Sequence, residues 1–259
     1  MLDARKSKEP PAAGPPLGLP AQVWACLFDL DGVLTETATL HARAWKTAFD
    51  AFLRERQGPA FIPFDAVDDY DRYVDGKPRQ DGARAFLAAR GLSLPEGHEG
   101  DPPQAETIAG LAERKDEIFL RLLRAEGGRA YAGSVRYLEA VRHAGLRTAV
   151  VSSSRHCAQI LEAARLTSLF EARVDGLTAA REHLAGKPAP DTYLAAARGL
   201  GVEPAHGAVF EDALAGVEAG RAGRFGFVVG VDRRGEAAEL RRHGADVVVP
   251  DLAWLLRTP

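Results

Sequence analysis

Short apolar runs punctuate the chain. Residues 23–29 read V-W-A-C-L-F-D, a continuous hydrophobic stretch that stops at a carboxylate, and similar β-branched runs occupy 146–152, 208–210, 225–231 and 245–249. Continuous rather than alternating hydrophobicity is the pattern of a strand buried on both faces, as in a parallel sheet. Between the runs, apolar residues recur at helical spacing over about 133–143, 155–165, 190–200, 212–221 and 235–242. Strand alternating with helix predicts an α/β fold, a doubly wound, Rossmann-like parallel sheet whose ligands bind beyond the carboxyl ends of the strands.

The segment 40–128 breaks that rhythm. It predicts helices over about 39–54, 79–90 and 105–125, with the acid- and proline-rich stretch 94–103 as a loop. It reads as an inserted α-helical cap domain, carried by a core made of 21–39 and 129–259. Both linkers of such an insertion leave and re-enter beside the first strand's carboxyl end, so the cap hangs over the expected site. Residues 1–20, with prolines at 10, 11, 15, 16 and 20, read as a flexible tail.

Composition narrows the function classes. In 259 residues, 33 basic and 36 acidic side chains leave a formal charge of -3, which gives no general attraction to nucleic acid or to a membrane surface. Apolar residues make up 46% and no run is long enough to span a bilayer. Cys26 and Cys157 lack partners at zinc-ligand spacing, and the first residues lack the apolar stretch of a signal peptide. The expectation is a cytoplasmic monomer acting on a small molecule. Only six of the 33 basic residues are lysines, so a lysine in an unusual place carries information.

Four clusters at expected strand ends carry the chemistry. F-D-L-D-G-V-L-T places Asp29 and Asp31 in a turn opened by Gly32, with Asp29 positioned as nucleophile and Asp31 as proton-transfer acid/base. Ser152, Ser153 and Ser154 follow the second run and offer hydroxyls and N–H groups to a phosphate. Lys187, in G-K-P-A-P-D, suits a point contact to a phosphoryl oxygen. Glu211 and Asp212 close the run at 208–210. Each cluster alone has an ordinary explanation: an acidic turn, helix capping by serine or by Asp212, an exposed loop lysine. Their occurrence in order, each at a strand end, favours the chemical reading.

In that order the clusters resemble the four motifs of the haloacid dehalogenase superfamily of phosphotransferases, over about residues 21–257. Dehalogenating members lack the second aspartate, so Asp31 points to phosphate chemistry. The resemblance implies an aspartyl-phosphate on Asp29, Ser152 and Lys187 holding the transferred group, and Mg2+ bound by Asp29, the backbone carbonyl of Asp31, Glu211 and Asp212. A closer resemblance, to the β-phosphoglucomutase-like subfamily, lies in F-D-L-D-G-V-L-T-E-T-A-T-L-H-A-R-A-W-K and in Gly76-Lys77-Pro78-Arg79. It implies Thr37 in the hinge, His41 orienting Asp31, Trp45 lining a sugar pocket, and Gly76 and Arg79 gripping a second phosphate. Lys115 matches a cap lysine. His156 stands where that subfamily has an asparagine, beside Ser154, and is expected to donate to the second phosphate. A mutase acting on β-glucose 1-phosphate, a sugar-phosphate phosphatase and a catalytically silent metabolite-binding module are the readings that follow; the intact carboxylates argue against the last.

Overall fold

A computed structural model of the protein describes residues 17–257. Six parallel strands form one sheet in the order β3-β2-β1-β4-β5-β6, comprising β1 (Ala25–Phe28), β2 (Arg147–Val151), β3 (Ala172–Val174), β4 (Gly207–Glu211), β5 (Phe227–Val231) and β6 (Val247–Val249). The alternation of side chains splits the central strands between two hydrophobic clusters. Cys26, Phe28, Val150, Ala208 and Phe210 enter one face, while Ala25, Leu27, Ala149, Val151 and Val209 enter the other. The register aligns Phe28 with both Val150 and Phe210, so the chain leaves β1, β2 and β4 at one level.

The run expected over 23–29 pairs as a strand only over Ala25–Phe28, although the Asp29 N–H still donates to the Phe210 carbonyl at 2.9 Å. Strand β3 and the helix after it escape hydrophobic patterning. β3 is three residues at the sheet edge with Arg173 exposed, too short and too polar to register as a run.

The sheet is flanked by α4 to α9, which are Ala132–His143, Cys157–Ala163, Gly176–Glu182, Asp191–Leu200, Leu214–Ala222 and Ala237–Arg242 in chain order. Between β1 and α4 lie α1 (Ala38–Gln57), α2 (Arg79–Ala89) and α3 (Ile108–Glu126), with a π-helical turn over Tyr70–Val74 that the sequence did not signal. Their apolar faces make a third cluster, in which Phe49 stacks on Trp45 at 4.7 Å and meets Phe86 at 4.2 Å. Helix α3 is capped by Thr107, whose hydroxyl accepts the Gly110 N–H at 2.9 Å. The two linkers of this insertion run side by side, with Glu36 N–H to Arg129 O and Tyr131 N–H to Leu34 O, both at 2.9 Å. Residues 1–16 of the expected tail lie outside the described residues. Leu17, assigned to that tail from sequence, is instead buried in the sheet core, and its carbonyl accepts the Tyr137 hydroxyl at 2.9 Å.

The separation of the clusters gives an expected outcome. Phe49→Ala removes a fully buried ring and should cost about 3–5 kcal/mol, read as a lower denaturant midpoint. The loss should concentrate in hydrogen exchange of α1, α2 and α3 and leave the amides of β1 and β4 protected.

Candidate active site

Asp29 is the first residue past β1 and is almost wholly buried. Lys187 reaches it from the loop before α7, with Nζ 2.5 Å from Asp29 Oδ1 and 2.5 Å from Glu211 Oε1. Tyr193 on α7 donates its hydroxyl to the same Glu211 oxygen at 2.7 Å. Two glycines make this crowding possible. A Cβ on Gly32, whose φ is +94°, would lie 1.8 Å from Asp212 Oδ2, and a Cβ on Gly216 would lie 1.8 Å from Glu211 Oε1. Gly216, which closes F-E-D-A-L-A-G over 210–216, therefore belongs to the carboxylate motif, a role that its helical position in the sequence concealed.

Oxygens of Asp29, Glu211 and Asp212 lie within 4.8 Å of one another, and all three residues are buried. Three carboxylates face one ammonium. Burial first, then neighbouring carboxylates, push Asp29 and Asp212 well above the usual carboxylate range, Lys187 opposing this at Asp29; Asp29 and Glu211 in turn hold Lys187 above its ordinary value despite burial. An all-oxygen cluster with surplus negative charge is the donor set that a hard divalent cation takes. Asp212 does not cap a helix, since α8 starts at Leu214 and the cap position, Ala213, makes no side-chain hydrogen bond.

Asp31 stands opposite, on its own network. Thr37, immediately before α1, and Ser152, just past β2, donate their hydroxyls to Oδ1 and Oδ2, the latter at 3.3 Å. His41 Nε2 lies 3.4 Å from Oδ1, and Lys115 Nζ lies 2.7 Å from His41 Nδ1. An ammonium only donates, so Nδ1 is the acceptor and the imidazole proton sits on Nε2, facing Asp31. Burial, then the Lys115 charge, lowers His41 and keeps the ring neutral; burial lowers Lys115 to about 8. Burial would raise Asp31, but His41 and Thr37 outweigh it and hold the carboxyl below its ordinary value.

A cleft lies between the strand ends and the insertion. Asp29, Asp31, His41, Trp45, Gly76, Arg79, Lys115, Ser153, Ser154 and Asp212 line it, whereas Thr37, Ser152, Lys187 and Glu211 lie just beneath its wall. Ser152 and Lys187, expected to touch the transferred group, are thus seen bonded to Asp31 and to Asp29 and Glu211. Ser153 donates to the Gly76 carbonyl at 2.7 Å and ties the insertion to the β2 loop. His156 is displaced from its expected place. It does not line the cleft; its Nε2 lies 2.8 Å from Asp116 Oδ2 and its Nδ1 2.9 Å from Gln159 Oε1, so both ring nitrogens are engaged.

Sequence reading missed Asp116, Lys77, Arg155, Tyr70 and Asp75, all in the cleft wall. It also missed Arg234, which follows β5 and bridges to Asp71 and, at 2.7 Å, to Asp75 Oδ2 of the insertion. Asp116 carried one signal, its place directly after Lys115; Arg234 carried none, because arginine is everywhere in this chain.

The haloacid dehalogenase-like hydrolase model matches residues 24–224. The chain is 57% identical over 246 residues to the β-phosphoglucomutase of Mycobacterium tuberculosis, covering 93% of this chain and 94% of that one. It is 31% identical over 225 residues to the Bacillus subtilis β-phosphoglucomutase, covering 87% and 88%. Among solved structures, a hydrolase from Pseudomonas syringae superposes with a TM-score of 0.73 at 26% identity, over 90% of this chain and 96% of the other. The β-phosphoglucomutase of Clostridium difficile superposes with a TM-score of 0.70 at 25% identity, over 90% and 93%. With its strand-end carboxylates, its lysine bridge and these matches along most of its length, the chain belongs to the haloacid dehalogenase-like hydrolase family.

Proposed function

We propose that this protein is a magnesium-dependent β-phosphoglucomutase, converting β-glucose 1-phosphate to glucose 6-phosphate through an aspartyl-phosphate and a sugar bisphosphate. The observation that carries the reading is the pairing, across one cleft, of the Asp29 cluster with a separate cationic end at Arg79. Hydrolysis of a monophosphate needs only the first. The named activity of relatives at 57% and 31% identity supports the same choice.

Asp29 attacks the phosphoryl group, with Lys187 steering its carboxylate and Glu211 fixing Lys187 from behind. Asp29, Asp212 and the backbone carbonyl of Asp31 hold the metal, with Glu211 alongside. Bound Mg2+ supplies Lewis-acid neutralisation of the phosphoryl oxygens. Asp31, kept ionised by Thr37, Ser152 and His41, takes the proton from the sugar hydroxyl that receives the phosphoryl group and returns it in the reverse direction. Trp45 and Lys115 bound the sugar, Ser153, Ser154 and Gly76 shape the wall, and Arg79 grips the other phosphate bidentately. The helical insertion at 40–128 acts as the cap, with Thr37 at its hinge. No helix among the described residues is long and apolar enough to cross a membrane. We read the protein as a cytoplasmic monomer.

The deciding experiment offers a panel of sugar phosphates with magnesium and a trace of glucose 1,6-bisphosphate, and scores isomerised product and free phosphate. Isomerisation of β-glucose 1-phosphate with little phosphate release is expected. Near-stoichiometric phosphate release without isomerisation assigns hydrolysis instead.

Asp29→Asn should lower turnover at least about 1000-fold with an unchanged circular dichroism spectrum, because the amide matches the carboxylate in shape but is a poor nucleophile. Asp212→Ala should weaken magnesium binding, followed by calorimetry, while leaving the fold intact, and excess chelator should abolish wild-type activity. Arg79→Lys should reduce isomerisation about 10- to 100-fold despite the retained charge, because an ammonium cannot reproduce the planar fork. Kinetics on β-glucose 1-phosphate check the last.

A further inference from the structure

Asp116 is a buried carboxylate that no step above uses. It sits on α3 of the insertion, and a single oxygen, Oδ2, lies 2.8 Å from His156 Nε2 and 2.7 Å from Arg79 Nη1. These neighbours come from different parts of the fold. Arg79 opens α2 of the insertion, whereas His156 immediately precedes α5 of the sheet unit. Asp116 therefore joins the two sides of the cleft through one atom.

The two contacts differ in kind. The His156 contact meets the distance and angular requirements of a hydrogen bond. Arg79 Nη1 is as near and pairs with the same oxygen by charge, but Nη1, which is buried, meets the angular requirement of a hydrogen bond with no group among the described residues. The other terminal nitrogen, Nη2, bonds Glu113 Oε2 at 3.2 Å, from the preceding turn of α3. Two carboxylates on one helix face thus orient the guanidinium by charge and leave Nη1 donors for another anion. A buried donor without a partner costs free energy, which a bound oxyanion recovers. His156 stands behind Asp116, outside the cleft wall, so it anchors the carboxylate instead of touching substrate.

We propose that Asp116 is a positioning residue for the non-transferred phosphate: held by His156 on the core, its carboxylate fixes Arg79 with its free donors turned to that phosphate. The proposal rests on the mutase reading. It also accounts for His156 acting from the second row: the imidazole secures a carboxylate that in turn aims the arginine. Because the link crosses the cleft, the arginine is fully oriented only when insertion and core are together, and the second phosphate is then gripped on closure.

The test compares wild type with Asp116→Ala, Asp116→Asn and His156→Ala. The probes are glucose 1,6-bisphosphate, which has a second phosphate, and acetyl phosphate, which has none. Asp116→Ala should raise KM for the bisphosphate about tenfold more than KM for acetyl phosphate, with kcat for isomerisation within about threefold of wild type. His156→Ala should show the same selective rise, and the double variant should be no worse than either single one, since both act through one link. Should Asp116→Ala not fold, Asp116→Asn, which keeps the shape and loses the charge, carries the comparison. Equal KM changes for both probes, no change for either, or additive effects of the two substitutions overturn the role given to Asp116. A wild type that releases phosphate and isomerises nothing is a separate result, visible before any variant is made; it overturns the mutase reading and this proposal with it.

Discussion

The contact on which the site depends is Lys187 between Asp29 and Glu211. A buried ammonium is tolerable only when paired, and a buried carboxylate pair only with a cation between them. Each of the three residues is therefore a condition for burying the other two. Asp29 comes from the end of β1, Glu211 from the end of β4 and Lys187 from the loop before α7, so the bridge also fixes where that loop lies relative to the sheet. The surplus negative charge left after this pairing is what makes the place suited to a divalent ion. Stability and chemistry here rest on the same three side chains.

Much of this was legible in the sequence because it is local. Two carboxylates two residues apart after an apolar run could be an ordinary acidic turn, but as the first of four such clusters in order at strand ends they mark the mouth of a parallel sheet. The same holds for the serines past β2 and the acidic pair past β4. What stayed hidden depends on distance through space. Nothing in the spacing says that Gly216 must be bare for Glu211 to turn inward, or that Lys187 is taken up by two carboxylates. His156 shows the limit of carrying a role across a resemblance. The position is beside Ser154 as expected, but a charged neighbour from α3, 40 residues away in the chain, takes its Nε2. Short edge elements were lost for a simpler reason: three residues with an arginine among them, as in β3, leave no periodicity to read.

The insertion adds the second half of the site by the same economy of means. Its own aromatic cluster packs α1, α2 and α3 against one another. Contacts across the cleft are mainly polar on the side facing Arg234 and Asp116, while Phe119 and Leu40 extend the sheet cluster toward the hinge. Under the proposed cap role, an apolar contact on the linker side and ionic contacts at the far edge would let the insertion part at one side while staying attached at the other.

The scarcity of lysine in an arginine-rich chain has a practical consequence for chemical labelling. Among the described residues the lysines are Lys46, Lys77, Lys115 and Lys187, and three of these stand in the cleft or directly beneath it. With Lys6, Lys8 and the N-terminal amine assigned separately, a reagent that modifies amines and spares guanidinium groups reports on few positions besides the site. Lys46, nearly half exposed, serves as the internal reference. Lys115, with its basicity lowered to about 8, offers a larger fraction of free amine near neutral pH than an ordinary lysine, although burial limits access. Lys187 is sealed by two carboxylates and stays protected for as long as Asp29 and Glu211 hold it.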